Sequence, residues 1–321
     1  MITAQDLKGV LAMMPAFTTA DGASMNATDT VDTGALETAV DKIIRDGINA
    51  IAAMGSFGEF HTLLWEEKMK LTEATIAAAR RRVPVFIGCS STNPRETMRL
   101  VKFAEHAGAD GVLCAVPYYF PSTVENAIQF YLDLADAFPK LGIAIYHNPP
   151  LHRVTIPVAA IEKLLTRPNI IAMKDSHRTP AAFMELMHIV KGRISVFCNQ
   201  MQTYPYMMLG AAGCWSISVW MGPGPLLRMR DACFAGDWDT AKEISLDLNR
   251  GYKTPGRPGD LFWRENVHKL EINEAGYCVA GPLRPPFRKI PPEIFEHAKQ
   301  QAQEWKKLCA KYSGNKGVAA A

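Results

Sequence analysis

The chain has 321 residues, of which 48% are hydrophobic and 21% are charged, and its formal net charge is +3. A chain of this length and composition buries a large core, which excludes a disordered or fibrous protein and allows one large domain with an appendage. Charges of both signs are interspersed and the longest basic run is the short Arg80 to Arg82, so the composition argues against a nucleic-acid partner.

Short apolar runs alternate along the chain with longer segments of helical period. Between the fourth and fifth runs, apolar residues from Val124 to Phe138 recur at three- and four-residue steps, which predicts an amphipathic helix capped by Ser122 or Thr123. The other intervals are similar, so the pattern predicts eight strand-helix units. The eight strand-like runs begin at Val10, Ala50, Val85, Gly111, Ile143, Ile170, Ile194 and Gly213.

Eight such units within residues 1–236 predict an α/β fold of the (β/α)8 type, the TIM barrel. A doubly wound open sheet is the alternative, and the lack of a GxGxxG turn weakens it. After about Asp237 the pattern changes to three helical segments separated by Pro- and Gly-rich stretches. We therefore predict a catalytic barrel domain over 1–236 and a C-terminal helical extension over 237–321 that ends in a loose tail, GNKGVAAA.

The cysteines and the amino terminus bear on compartment and metals. Seven cysteines are scattered, mostly inside apolar segments, and the chain has neither a CxxC pair nor an HExxH motif. Such cysteines are typical of a reducing compartment. The start MITAQDLKGV lacks a signal pattern, and no apolar run reaches the roughly 18 residues of a membrane span. We therefore expect a cytoplasmic protein with no membrane partner and no metal site.

Polar side chains stand at the carboxyl ends of the predicted strands, which in a barrel converge on one face. Strand five ends in YHNPP and strand six in KDS. Because side chains alternate along a strand, Tyr146 and Asn148 should face the barrel mouth, as should Lys174 of strand six. His147 and Asp175 should face away, which makes Asp175 a poor direct partner for Lys174.

Lys174 carries the functional hypothesis. A lysine that ends a buried strand costs free energy unless it is used or paired. Desolvation should lower its pKa and leave free amine that attacks a ketone, while Tyr146 shuttles the protons that convert a carbinolamine into an imine. A snorkelling or ion-paired lysine is the alternative. We predict that Lys174 and Tyr146 are catalytic and that the covalent imine makes a cofactor unnecessary.

The turn GSFGE after the second strand predicts a small nest for a carboxylate. Its glycine-flanked bend offers backbone N–H groups, and Ser56 adds a hydroxyl, so Gly55 and Ser56 are candidate site residues. A keto acid held there would present its C2 atom to Lys174. An ordinary barrel turn is the alternative for the glycines, and we interpret Glu59 as structural.

The chain resembles the pyruvate-dependent class I aldolase family that includes dihydrodipicolinate synthase and N-acetylneuraminate lyase. The resemblance covers the whole chain and rests on GSFGE, PYY, the Tyr146 and Lys174 strands and GAAG from Gly210. Longer and more specific matches resemble the hydratase-aldolases of aromatic hydrocarbon breakdown. These are MGSFGEFHTLLWEEK, AIAIYHNP, the WS at Trp215, GDWDTAKEIS and AGPLRPPF.

The resemblance implies a homotetramer in which Lys174 forms an imine with pyruvate or a pyruvylidene substrate and Tyr146 moves protons. It implies that Ser56 helps to bind the carboxylate and relay protons. Tyr119 matches the tyrosine that the lysine-biosynthesis members lend across a subunit interface.

Other positions separate the chain from those synthases. Asn148 and Trp215 match the hydratase-aldolase branch, and with the adjoining Ser216 they are candidate substrate-binding residues. Phe57 replaces the second hydroxyl residue of the synthases' turn and adds an apolar wall that suits an aromatic substrate. The synthases have an arginine after their strand-five tyrosine that binds the carboxylate of their aldehyde substrate. In this chain the corresponding stretch is NPPLHR, and its arginine, Arg153, is displaced from that position.

The reaction so implied is hydration and cleavage of a benzylidenepyruvate to an aromatic aldehyde and pyruvate, in polycyclic aromatic hydrocarbon degradation. The substrate is trans-o-hydroxybenzylidenepyruvate or trans-2'-carboxybenzalpyruvate, and we favour the carboxylated ring. The residues do not identify the group that activates water. Candidate partners for a ring carboxylate are His61, His147, Arg153, His177 and Arg178.

Two alternatives remain open. Another reaction of the family, dihydrodipicolinate synthase-like or sugar-acid lyase, would need a polar pocket in place of Phe57, Trp215 and Trp220. A non-catalytic keto-acid-binding relative is the other alternative, and the intact Lys174 and Tyr146 argue against it.

Overall fold

The computed structural model describes residues 2–175, 177–251 and 261–312, and the tail expected to be loose lies outside them. Eight parallel strands close into a barrel in chain order, with β8 hydrogen-bonded to β1. The predicted barrel is therefore confirmed, and the open-sheet alternative is wrong. The strands are β1 (Gly9–Met13), β2 (Ala50–Ala53), β3 (Val85–Gly88), β4 (Gly111–Cys114), β5 (Gly142–His147), β6 (Ile170–Asp175), β7 (Ser195–Asn199) and β8 (Gly213–Ser216).

Helices follow the strands and cover the outside of the barrel. The predicted amphipathic helix is α4, and of its two proposed caps Thr123 is the one whose side chain accepts the N–H of Asn126, at 3.2 Å. The helices up to residue 236 are α1 (Thr33–Arg45), α2 (Trp65–Ala79), α3 (Pro94–Ala107), α4 (Val124–Ala137), α5 (Pro149–His152), α6 (Val158–Leu164), α7 (Pro180–Val190), α8 (Thr203–Met208) and α9 (Gly224–Phe234).

The core has two layers because strand side chains alternate. The inner layer fills the barrel and includes Leu11, Phe86 and Tyr146. The outer layer lies between the strands and the helices and includes Val10 of β1. The buried strands are thus apolar on both faces, as parallel strands covered by helices require.

In the described part of the C-terminal extension there are three helices: α10 (Trp238–Gly251), α11 (Leu261–Ala275) and α12 (Pro292–Tyr312). Their side chains join the outer layer of the barrel core, since Ile272 of α11 and Trp305 of α12 belong to the same apolar cluster as Val10. Trp305 is fully buried and donates from Nε1 to the carbonyl of Gly222, at 2.9 Å. The domain boundary between 236 and 237 stays a prediction.

Two further findings concern the state of the cysteines and the character of the helices. All seven cysteines are free thiols, of which five are buried and two half-buried. Among the described residues, none of the helices combines the length and the apolar character needed to cross a membrane.

Candidate active site

Lys174 and Tyr146 lie side by side on neighbouring strands. The register of β5 and β6 pairs the two residues, so their side chains leave the sheet on the same face. Both side chains are buried, and the Lys174 Nζ atom lies 4.3 Å from the centroid of the Tyr146 ring. The structure therefore brings together the two residues predicted to form and protonate an imine.

Trp215 of β8 completes the surroundings of the amine. Its ring centroid lies 3.7 Å from Lys174 Nζ, and its Nε1 atom donates to the backbone carbonyl of Asp175 at 3.0 Å. The hydrogen bond fixes the ring plane next to the lysine. Two aromatic faces thus contact the amine, and both favour a cation at that nitrogen. A protonated imine at Lys174 would gain from the same contacts.

Ser56 connects the turn after β2 to Tyr146, whose hydroxyl donates to Ser56 Oγ at 3.1 Å. The turn is tightly folded: Met54 has a left-handed φ of 51°, and a Cβ atom on Gly58 would lie 2.9 Å from the N and Cα atoms of Met54. A Cβ atom on Gly55 would meet Met13 of the inner layer at 3.0 Å. The turn therefore delivers a hydroxyl to Tyr146, as a proton relay requires.

Glu59 ends this turn and is anchored by the C-terminal segment. Its Oε2 atom accepts from Lys269 Nζ at 3.0 Å and from Arg284 Nη1 at 2.9 Å, and all three side chains are buried. Burial lowers the pKa of Lys269 to about 8 although the Glu59 charge opposes the shift. Glu59 is structural, as interpreted from the sequence. Its partners were missed because they lie 210 and 225 residues away in the chain.

Asp175 and His147 face the outside of the barrel, as alternation predicted. Arg178 Nε donates to Asp175 Oδ2 at 2.6 Å, and the Nδ1 atoms of His147 and His177 lie 3.5 and 3.7 Å from its carboxylate oxygens. Burial would raise the pKa of Asp175, but the adjacent imidazoles of His147 and His177 and the Arg178 charge hold that pKa well below its usual range. Asp175 is therefore a structural anchor rather than a partner of Lys174.

The same outer group brings ligand atoms of His147, Asp175 and His177 within 4.8 Å of one another. Two observations argue against a divalent cation there. The Arg178 guanidinium already neutralises Asp175. His147 Nε2 accepts the N–H of Ile156 at 3.1 Å, which leaves the ring proton on Nδ1, the atom turned towards Asp175. A metal-free protein remains our expectation.

His152 is a residue of this region that sequence reasoning missed. Its Nδ1 atom lies 3.1 Å from the backbone carbonyl of Tyr146, and the two ring centroids are 4.6 Å apart in an edge-to-face arrangement. The side chain is 3% exposed, and burial, assisted by the Lys174 charge, lowers its pKa to about 3. The short helix α5 turns the chain back so that His152 contacts Tyr146. Its four residues are too few to show the hydrophobic period by which a helix is predicted from sequence.

Asn148 and Tyr119 lie at the mouth of the barrel. The Asn148 backbone carbonyl accepts the N–H groups of Leu151 and His152 and so starts α5, while its half-buried side chain makes no capping bond. The Tyr119 ring is 70% exposed and packs edge-on against Phe120. The contacts expected of Asn148 with substrate and of Tyr119 with a partner subunit stay predictions.

Phe57, Ser216 and Trp220 are not brought to Lys174. The Phe57 ring belongs to the outer layer and meets His268 of α11 with ring centroids 5.8 Å apart. Because Trp215 faces inward, Ser216 faces outward and donates to Gln200 Oε1 at 2.5 Å. These two side chains have no support here as substrate contacts.

Trp220, interpreted as a pocket wall, is instead a core residue. It is fully buried, its ring packs edge-on against Phe17, and its Nε1 atom donates to the carbonyl of Met13 at 2.9 Å. The interpretation was wrong because sequence alone does not separate an aromatic residue that lines a pocket from one that fills the core beside it.

The five candidate partners for a ring carboxylate fall into two groups. The outer cluster around Asp175 occupies His147, His177 and Arg178. His61 and Arg153 are exposed, and Arg153 follows α5 at the barrel mouth, where its Nη1 atom donates to the carbonyl of Tyr119 at 2.7 Å. Ser176 of the KDS stretch lies outside the described residues.

Comparison with known proteins adds to this geometry. A family profile described as the dihydrodipicolinate synthetase family matches residues 13–299. The chain is 31% identical to a trans-O-hydroxybenzylidenepyruvate hydratase-aldolase from Pseudomonas aeruginosa, over 97% of this chain and 96% of that protein. It is 27% identical to a trans-2'-carboxybenzalpyruvate hydratase-aldolase from Nocardioides sp. (strain KP7), with the same coverage.

A solved structure described as PhdJ bound to substrate intermediate superposes with a TM-score of 0.91. It is 26% identical in sequence, and the match covers 97% of this chain and 99% of that one. The likeness thus extends over the barrel and the C-terminal helices together.

Proposed function

This chain belongs to the dihydrodipicolinate synthetase family, and we propose that it is a hydratase-aldolase that converts a trans-benzylidenepyruvate into an aromatic aldehyde and pyruvate. It is a lyase of the class I aldolase type. One observation carries the proposal: the buried Lys174 amine lies against the rings of Tyr146 and Trp215, with the Tyr146 hydroxyl bonded to Ser56.

The first step forms the imine. The neutral amine of Lys174 attacks the C2 carbonyl, and Tyr146 supplies the proton with which the carbinolamine hydroxyl leaves as water. Ser56 is in contact with Tyr146 and relays the replacement proton. The resulting iminium is conjugated to the alkene and lies between the rings of Tyr146 and Trp215, which favour its charge.

Hydration and cleavage then use the iminium as an electron sink. Water adds to C4, the alkene pair becomes a C2=C3 bond and the C=N pair moves to nitrogen, which gives an enamine. Protonation at C3 then restores the iminium. Loss of the C4 hydroxyl proton breaks the C3–C4 bond, releases the aldehyde and leaves the pyruvate enamine. Protonation of that enamine by Tyr146 and hydrolysis return Lys174 and free pyruvate.

We propose an ortho-substituted ring, as in the names of the relatives. The carboxylated ring, trans-2'-carboxybenzalpyruvate, remains our expectation, and the exposed Arg153 at the mouth supports it as a cation for the second carboxylate. The hydroxylated ring is the other candidate, because the relative at 31% identity carries that name. With either substrate, the pathway we propose is polycyclic aromatic hydrocarbon breakdown.

Both substrates test the proposal directly. Loss of the enone absorbance and release of pyruvate are measured with each compound, for the wild type, Lys174→Ala and the exposed control Lys163→Ala. We expect turnover by the wild type and the control and none by Lys174→Ala, with the higher kcat/KM identifying the ring substituent. No turnover of either compound by a protein that still binds pyruvate covalently would contradict the hydratase-aldolase and favour another reaction of the family.

We also propose a homotetramer, supported by exposed aromatic side chains. Tyr119 and Phe120 are 70% and 77% exposed and border a surface hollow of about 690 Å³. Two adjoining exposed aromatic rings form an apolar surface that suits contact with another subunit. In analytical ultracentrifugation we expect the wild type to sediment as a tetramer and Phe120→Asp as a smaller species. A monomeric wild type would refute it.

A further inference from the structure

We propose that His152 is the base that acts at C4 of the substrate, first on the attacking water and then on the C4 hydroxyl. This inference rests on the proposed function and adds the group that activates water. His152 is buried beside Tyr146, and one of its two ring nitrogens is bonded to the Tyr146 carbonyl, which leaves the other for chemistry.

The short helix α5 places this histidine. Asn148 starts the helix by accepting the His152 N–H at 2.9 Å, and Arg153 ends it in the left-handed region with a φ of 58°. The imidazole is thereby turned back onto the edge of the Tyr146 ring, at a centroid distance of 4.6 Å. The Tyr118 ring lies 6.3 Å away on centroids.

The hydrogen bond to Tyr146 fixes the tautomer. A carbonyl oxygen can only accept, so the His152 Nδ1 atom, 3.1 Å from it, carries the ring proton. Nε2 of the neutral ring is then an acceptor. Within the described part of the chain, no hydrogen bond to this atom is found. Burial and the Lys174 charge lower the His152 pKa, so the ring is neutral before water attacks. A weak base suffices here, because the water oxygen becomes cationic and strongly acidic as it bonds to C4.

The location suits C4. Tyr146 contacts both Lys174 Nζ and the His152 ring, and C4 is only two bonds from the imine carbon. The neighbouring acid-base groups have other positions or partners. The Tyr146 hydroxyl contacts Ser56, and His147 and His177 lie outside the barrel around Asp175.

The proton balance is complete. As the water oxygen bonds to C4, one of its protons passes to Nε2, the alkene pair becomes a C2=C3 bond and the C=N pair moves to nitrogen. Tyr146 protonates C3 and recovers its proton from solvent through Ser56, while His152 releases its proton to solvent. In the cleavage step Nε2 takes the C4 hydroxyl proton and the O–H pair forms the aldehyde C=O. The C3–C4 pair becomes the C2=C3 bond, the C=N pair moves to nitrogen and the aldehyde leaves.

Two reactions separate a base at C4 from a merely structural histidine. Enone turnover needs a base at C4, whereas deuterium exchange into the methyl group of pyruvate in D2O needs Lys174, Tyr146 and its Ser56 relay but no base at C4. For His152→Asn, which keeps an N–H for the Tyr146 carbonyl, and for His152→Phe, which keeps the ring packing, we expect enone kcat to fall by roughly 10²–10⁴-fold. Methyl exchange should stay close to the wild-type rate in both.

Three controls complete the test. His188→Asn, an exposed histidine on α7, should leave both rates unchanged, and Tyr146→Phe should lower both. His152→Gln, whose amide oxygen can accept a hydrogen bond at the Nε2 position but cannot take up a proton, should lose enone turnover as His152→Asn does. Equal losses of both reactions in His152→Asn and His152→Phe, or full enone turnover in either, would overturn the proposal. An inactive wild type towards the enones would instead mark a failure of the proposed function.

Discussion

At the scale of single residues, the chemistry depends on how Lys174 balances two opposing effects. Burial disfavours its ammonium form, whereas the rings of Tyr146 and Trp215 favour a cation. Free amine is needed for the first attack, and a cationic iminium is needed afterwards. Aromatic faces suit this sequence because they stabilise the iminium without supplying a carboxylate that would hold the lysine protonated.

His152 gives a residue-scale prediction about stability and pH. Burial and the charges of Lys174 and His147 lower its folded pKa to about 3, while the hydrogen bond with the Tyr146 carbonyl opposes the shift. The unfolded chain therefore binds this proton first, so stability is full above pH 6.5 and is lost as pH falls from 6.5 towards 3. Between pH 6.5 and about 4.5 the loss from this group should be roughly 2–3 kcal/mol.

Urea unfolding of the wild type and His152→Phe at the two pH values measures this loss. The wild type should lose more stability than the variant by that amount, because phenylalanine keeps the ring and removes the titrating group. Parallel losses in the two proteins would show that His152 is not held neutral by the fold.

The positions of polar residues at strand ends explain which parts of the site could be predicted from the sequence. Lys174, Tyr146 and the outward direction of His147 follow from one polar residue per apolar run and from strict alternation. His152 and the Lys269 and Arg284 pair could not be found this way, because their positions depend on a four-residue helix and on contacts between distant segments.

At the scale of elements, the GSFGE turn is held from outside the barrel. Glu59 at its end is bound by Lys269 in α11 and by Arg284, and Arg284 also donates to Thr30 Oγ1 at 2.7 Å. The C-terminal extension therefore fixes the turn that delivers Ser56 to Tyr146. This is a physical reason for a barrel enzyme to retain the extension.

Removing the Glu59 charge should be costly. Glu59→Gln leaves Lys269 and Arg284 buried without their anion, and we expect a loss of about 3–5 kcal/mol in the free energy of unfolding. Glu37→Gln is the matched control, since its pair with Arg80 is exposed and should contribute at most about 1 kcal/mol. Denaturant titration compares the two, and equal small losses would remove the buried network as an anchor.

At the scale of the whole molecule, the barrel and the extension share one apolar core. Trp305 of α12 and Ile272 of α11 pack in the same cluster as residues of β1. The eight apolar runs predicted the barrel because each buried parallel strand is apolar on both faces. The same pattern cannot show how a later helix docks, so the boundary at 236 and 237 marks a change of pattern rather than a demonstrated unit of folding.

Trp305→Ala tests whether the two parts unfold together. The substitution empties a fully buried site and removes the hydrogen bond to Gly222, so we expect a loss of about 3–5 kcal/mol within a single cooperative transition. Phe295→Ala, at a partly exposed position on the same helix, should cost far less. Two separate transitions in calorimetry would show that the extension is an independent domain.

The central claim is that Lys174 forms an imine with a keto acid. The most direct measurement is incubation of the protein with pyruvate and borohydride, followed by peptide mapping of the mass addition. A lactyl-sized addition on Lys174, absent from a folded Lys174→Ala variant and present in Lys163→Ala, is the predicted result. Folded wild-type protein that gains no such addition, or gains it on another lysine, would contradict the account.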